Sequence, residues 1–226
     1  MPAITITEQQ SPDRILPGSP VYRVFDLLIA AVGILVCLPL LAIICCAIRL
    51  EGGGPAIFRQ RRLGRGKRPF TVHKFRTMRP SADPEVHRAY VEQLLAGAES
   101  THTDRRGRDL YKLASDDRVT RVGRFLRSTS LDELPQLYDV LRGQMSVVGP
   151  RPVIPYEAEL YPAAYDRRFA VKPGLTGLWQ INGRNECTYH EMVALDVAWV
   201  ERHSVWLYLS IVVRTPWVLV RCRGAA

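Results

Sequence analysis

A chain of 226 residues has room for one domain, or for one domain with a membrane element. With 47% hydrophobic and 23% charged residues, it is neither a disordered chain nor a polytopic transporter. Lys and Arg number 31 against 22 Asp and Glu, and the net charge of +9 calls for anionic partners: nucleic acid, lipid head groups or phosphorylated substrates.

Residues 1–20 carry Pro2, Pro12, Pro17 and Pro20 and no apolar periodicity, so they read as a flexible tail. No basic stretch precedes an apolar core there, which argues against a signal peptide. Residues 21–50 contain the membrane element. Leu27 to Ile48 is an uncharged run of 22 residues, long enough for a bilayer core of ~30 Å. Pro39 interrupts it, and a proline inside a helix costs ~3 kcal/mol or more unless the helix kinks. The segments before and after that point span about 18 and 15 Å, roughly half a bilayer each. Arg14 and Arg23 precede the run. Ten Lys and Arg, among them Lys74 and Arg76, and the single acid Glu51 lie in residues 49–79. The positive-inside rule puts the later flank in the cytoplasm and leans the earlier one the same way. A re-entrant helix satisfies both flanks and a kinked span only one. The plain alternative is a buried core helix.

Residues 80–115 are polar and mixed in sign, with a helical stretch near Val86 to Leu95, and read as a variable surface insertion within a cytosolic domain of residues 51–226. Residues 186–226 are amphipathic and hold Trp199, Trp206 and Trp217. Val205 to Val213 is too short to span, so the spacing predicts a helix at the lipid interface, against the alternative of a core helix whose tryptophans simply pack. The five cysteines (Cys37, Cys45, Cys46, Cys187 and Cys222) form no CxxC, and three share the apolar run. A disulfide framework or zinc site is not expected, and a reducing, cytosol-facing domain is.

Four segments carry chemistry. From Asp117 to Arg127, Val119, Val122, Phe125 and Leu126 fall at helical spacing and predict a buried stripe, with Arg121, Arg124 and Arg127 on a broad opposite face. In Ser130-Leu131-Asp132-Glu133-Leu134-Pro135-Gln136, adjacent carboxylates point in different directions from one backbone. One can attack an electrophile while the other holds a divalent metal. Ser130 and Glu133 also fit a helix capping box. In Val148-Gly149-Pro150-Arg151-Pro152, two prolines fix the backbone around Arg151, which suits bidentate phosphate binding; the plain reading is a surface turn. In residues 172–184, three glycines allow close approach to a ligand, and Gln180, Asn182 and Arg184 can read a nucleotide or sugar; the plain reading is a hairpin-like turn.

Taken in this order, together with Lys74-Phe75-Arg76-Thr77-Met78 and Lys172-Pro173-Gly174-Leu175-Thr176-Gly177, these motifs closely resemble the bacterial sugar transferase family, over roughly residues 20–220. The resemblance implies a mainly α fold: a small α-rich catalytic domain on a re-entrant membrane helix, with amphipathic helices at the interface. It implies a monotopic phosphoglycosyl transferase of the short form, at the cytoplasmic face of the bacterial inner membrane. Such an enzyme moves a sugar-1-phosphate from a UDP-sugar to undecaprenyl phosphate and releases UMP, initiating exopolysaccharide, capsule or O-antigen assembly. The same resemblance makes Asp132 the nucleophile, places Mg²⁺ at Asp132 and Glu133, and puts Arg127, Arg151 and Lys74 around the transferred phosphate. The expected partners are the UDP-sugar, undecaprenyl phosphate, membrane lipids and a second copy of the chain as a homodimer, with no nucleic acid. One position departs from the pattern: Leu38, where many relatives have Ser, precedes Pro39, leaving the break to rest on the proline alone.

Two other readings compete. A membrane-attached glycosyltransferase would transfer the sugar without its phosphate, but such enzymes often need a DxD motif and this sequence has none. A basic adaptor or nucleic-acid binder would interleave stacking aromatics with its cations, and the basic flank holds only Phe58, Phe70 and Phe75. The Gly177-Leu178-Trp179-Gln180 version of the fourth segment looks like members that use glucose or galactose.

Overall fold

The computed structural model describes residues 19–79, 118–182 and 189–221; most of the amino-terminal tail, the 80–115 insertion and Arg184 lie outside them. Helices dominate. The first, α1, runs Pro20–Gly52 with Pro20 in its first turn and Pro39 inside it. It is long and apolar enough to cross a membrane, and only 11% of its most apolar window is buried, which sets aside the buried-core reading.

Both ends of α1 dock on the same body. At its start, Tyr22 and Ala30 join the main core with Leu137, Val140, Met145 and Tyr208. At its end, Ile44 and Ile48 join a second core with Ala56, Phe75 and Leu126. The stretch between them is where Val32, Leu35, Val36, Leu38, Leu40 and Ile43 stand exposed. Charge matches the docking. Arg23 donates to the carbonyls of Val140 (2.6 Å) and Leu141 (2.7 Å), the carboxyl end of helix α3 (Gln136–Leu141). Glu51 accepts from the amides of Arg121 (2.7 Å) and Val122 (3.1 Å), the amino end of helix α2 (Arg121–Thr129). Each charge sits at the helix pole that favours it. Asp26 is buried and accepts from the Val147 amide, the Ser146 hydroxyl and the Tyr208 hydroxyl, binding α1 to strand Ser146–Val148 and to helix Val205–Arg221.

The sheets are small. Strands β1 (Ile57–Leu63) and β2 (Pro69–Phe75) form an antiparallel ribbon with Phe58 opposite Lys74 and Gln60 opposite Val72. Strands β3 (Ser146–Val148) and β4 (Gly174–Thr176) run parallel. The remaining helices are α4 (Pro155–Glu159), α5 (Leu178–Asn182), α6 (Tyr189–Arg202) and α7 (Val205–Arg221).

Two sequence expectations change here. Phe125, placed by spacing in the buried stripe of α2, is exposed, while Leu126 is buried. The face that packs is centred on Gly123, which rests against the Thr77 backbone; an added Cβ would come within 2.1 Å of the Thr77 carbonyl oxygen. Contact so close needs glycine, and it turns Phe125 outward. Gly123→Val is expected to cost about 3 kcal/mol of stability by overpacking this contact. A valine variant that melts with the wild type would show that α2 can move off β2 freely. The tryptophans also divide: Trp199 is buried in the core, whereas Trp206 and Trp217 stand exposed with Val213. Their spacing puts these three on one face of α7.

Candidate active site

The two carboxylates arise from a change of helix type. Helix α2 ends at Ser130, which adopts the left-handed conformation (φ 59°). That turn reverses the chain into a single 3₁₀ turn, Leu131–Glu133, set against β2. The capping-box reading does not hold, because Ser130 makes no side-chain cap to this turn. Glu133 is instead drawn across to β2, where Lys74 Nζ donates to its Oε1 at 2.7 Å. Asp132 is its neighbour on the same turn.

Three arginines lie on the elements near this pair. Arg127, one turn back on α2, donates through Nε to the Thr77 hydroxyl (2.9 Å), just past the end of β2. Arg151 follows β3, with its side chain about 31% exposed and Nη1 3.8 Å from the buried Glu157 carboxylate. Burial works against the Arg151 charge, but Glu157 and, more weakly, Glu133 hold its pKa above the ordinary value. The sequence reading counted Arg62 only as part of a basic flank. It is buried on β1 and donates to Gln60 Oε1 (2.7 Å) and to the Pro152 carbonyl (3.0 Å). Burial and the neighbouring Arg151 push its pKa down to about 10, against the pull of Glu157 and Glu133, so it stays a cation at neutral pH. Its signal lay in the β pattern: Arg62, Gln60 and Phe58 share the strand face that carries Lys74 across the ribbon.

The glycine-rich segments explain each other. Gly174 and Gly149 are in contact, and a Cβ on Gly174 would lie 2.0 Å from the Gly149 nitrogen. Gly149 donates to the Thr176 carbonyl (2.9 Å) and Gly174 to the Pro150 carbonyl (2.8 Å). The segment around Arg151 is therefore one side of a parallel seam, not a surface turn, and residues 174–182 form a strand and a helix in place of a hairpin-like turn. Gln180 and Asn182 lie on α5, which packs against α6 and α7. Gln180 Oε1 is buried without a hydrogen-bond partner.

Among the described residues, no group of three or more His, Cys, Asp or Glu could hold a metal ion. Mg²⁺ does not require one, since it retains waters and is commonly held by one or two carboxylates together with substrate phosphates. The adjacent Asp132 and Glu133 are a donor set of that kind.

Lys74 pairs with Glu133 at the amino end of α3, and Arg62 and Arg151 lie within electrostatic reach of it, so this cluster of cations beside two carboxylates can meet phosphates. The bacterial sugar transferase family matches residues 18–222, and the chain belongs to it. It is 41% identical over 204 residues to the galactosyl transferase CpsE of Streptococcus agalactiae, covering 90% of this chain and 43% of that protein. It is 41% identical over 208 residues to the exopolysaccharide production protein ExoY of Rhizobium meliloti, covering 92% and 89%. A UDP-glucose:undecaprenyl-phosphate glucose-1-phosphate transferase of Caulobacter vibrioides is 42% identical over 202 residues, covering 85% and 67%. The chain thus spans less than half the length of CpsE and most of ExoY.

Proposed function

We propose that this protein transfers a sugar-1-phosphate, with glucose or galactose as the sugar, from a UDP-sugar to undecaprenyl phosphate. The observation that carries this reading is the Asp132–Glu133 turn held against Lys74 with Arg62 and Arg151 beside it. It gains weight from the names of similar proteins, one of which is a UDP-glucose:undecaprenyl-phosphate glucose-1-phosphate transferase.

In the proposed reaction an Asp132 carboxylate oxygen attacks the sugar-bearing phosphorus. The bond from that phosphorus to the bridging oxygen breaks, and its electron pair leaves with UMP. An oxygen of undecaprenyl phosphate then attacks the same phosphorus and displaces the carboxylate, which regenerates Asp132 and forms the diphosphate-linked sugar. Mg²⁺, when bound, neutralises phosphate charge. Glu133 offers it a carboxylate oxygen, Lys74 holds Glu133 in place, and Arg127 and Arg151 offset the repulsion between an anionic nucleophile and an anionic diphosphate. Gln180, Asn182 and Arg184 are assigned to the nucleotide or sugar.

The same reading makes α1 a re-entrant helix in the inner membrane, with the catalytic domain in the cytoplasm and α7 lying at the lipid interface. Its support is that Tyr22 and Ile48, near opposite ends of α1, both pack on the catalytic body while the apolar middle stays uncovered. Pro39→Ala is expected to push α1 toward a full span. Accessibility labelling of cysteines placed at the two ends checks this: if both ends remain cytoplasmic, Pro39 is not the sole cause of re-entry.

The deciding experiment is UMP release by detergent-purified protein with Mg²⁺ and undecaprenyl phosphate, across a panel of UDP-sugars. Release that continues past one equivalent per protein only when the lipid is present identifies both reaction and sugar. Release of UDP in its place would overturn the proposal in favour of a glycosyltransferase.

A further inference from the structure

The segment Pro150-Arg151-Pro152 has four main-chain groups able to hydrogen bond, because neither proline carries an N–H. All four are taken. The Pro150 carbonyl accepts from the Gly174 amide at 2.8 Å. The Arg151 amide donates to Asp196 Oδ2 at 3.2 Å, and the Arg151 carbonyl accepts from Arg168 Nη2 at 3.1 Å. The Pro152 carbonyl accepts from Arg62 Nη1 at 3.0 Å. Three of the four partners are buried charged side chains, and they come from three separate places: β1, the 3₁₀ segment Ala163–Ala170, and α6.

Stability does not account for this arrangement. Arg168 and Asp196 form an ion pair in which both side chains are 1% exposed. Buried pairs of this kind are often no more stabilising than apolar residues of the same volume. Arg168 also donates to the Tyr161 hydroxyl at 3.0 Å, which fixes the plane of its guanidinium. What the pair does that apolar residues could not is grip the amide and the carbonyl of one residue from both sides. That residue is Arg151, whose side chain alone of the three arginines discussed here (Arg62, Arg151 and Arg168) remains substantially exposed.

We propose that Arg168, Asp196 and Arg62 are positioning residues that act on phosphate transfer through Arg151, by clamping its main chain so that its guanidinium meets the diphosphate of the nucleotide sugar in one orientation. This rests on the role given to Arg151 in the proposed function. An arginine on a free loop would have to be ordered again at each turnover, whereas a clamped one is placed in advance, and a misplacement of about 1 Å can cost on the order of 10²-fold in rate.

The test is a double-mutant cycle on UMP release, with kcat and the donor KM measured separately on the full-length protein using UDP-glucose and UDP-galactose. Arg168→Lys keeps the charge beside Asp196 but loses the fork that reaches the Arg151 carbonyl. It is expected to lower kcat/KM by about 10²-fold in the native background. In an Arg151→Lys background the same change is expected to cost less than about threefold, because residues that act as a unit are not additive. Equal losses in both backgrounds would overturn the clamp and leave the role of Arg151 standing. Native activity from Arg151→Lys alone would overturn that role, and the clamp with it. Should Arg168→Lys not fold, Arg62→Lys carries the same cycle through the Pro152 carbonyl. Loss of fold in both would also overturn the proposal, since residues that only hold a turn leave the core intact when their charge is kept.

Discussion

Asp132→Asn will reduce UMP release by on the order of 10⁴-fold or more, as removal of a nucleophile does in covalent catalysis. The amide is nearly isosteric with the carboxylate but is not a nucleophile toward phosphorus. Asp132 sits on a partly exposed turn, outside the apolar cores, so its thermal unfolding is expected to stay within a few degrees of the wild type. The covalent step gives a second readout. Wild-type protein mixed with a labelled UDP-sugar and Mg²⁺, without lipid, should retain label after denaturation, and Asp132→Asn should not. Wild-type turnover by the asparagine variant would remove Asp132 from the mechanism.

Glu133→Gln will lower activity by about 10²-fold at low Mg²⁺, with part of the loss recovered as Mg²⁺ is raised. Stability is not the cause of this loss. The Lys74 and Glu133 side chains are 24% and 33% exposed, and an ion pair this accessible to water is worth only ~0–1 kcal/mol. The activity lost is therefore electrostatic, and its dependence on metal separates Glu133 as a ligand from Glu133 as a mere partner for Lys74. A Mg²⁺ titration that matches the wild type would assign it the second role.

The parts of the candidate site that are legible in the sequence are those whose chemistry is local. Asp132 and Glu133 are adjacent, and the two prolines around Arg151 announce a fixed backbone. Lys74 could be placed only by resemblance, since nothing in the sequence links a strand residue to a carboxylate 59 positions later. Arg62, Arg168 and Asp196 were missed for a related reason. Each looks like an ordinary surface charge until the fold buries it, and each has a partner among the main-chain atoms of residues 151 and 152, which leave no mark on side-chain patterns. The helical spacing of residues 117–127 holds only from Arg121 onward, because Val119 bridges Met78 ahead of the helix, and the buried face differs as well. Periodicity weighs Phe125 as apolar, yet the close approach of Gly123 to Thr77 decides the rotation. The long apolar helix was legible from its uncharged run, and the tryptophans were not separable, because Trp199 and Trp206 differ in their neighbours and not in their spacing.

Asp26 has a further consequence, which concerns the order of synthesis. Its three hydrogen-bond donors lie 120, 121 and 182 residues further along the chain. At about 5–20 residues per second, Tyr208 follows Asp26 from the ribosome by roughly 10–40 s. On the proposed membrane placement, helix α1 would reach the bilayer before any of these donors exists, with only the nearby Arg23 to offset the carboxylate, so that Asp26 would stay hydrated in the interval. A solvated acid at the entry of the apolar run would hold that end at the water boundary while the rest of the chain is made. Tyr208 on α7 supplies the third of these hydrogen bonds, so the last of the described helices to be translated completes the shell around an acid on the first.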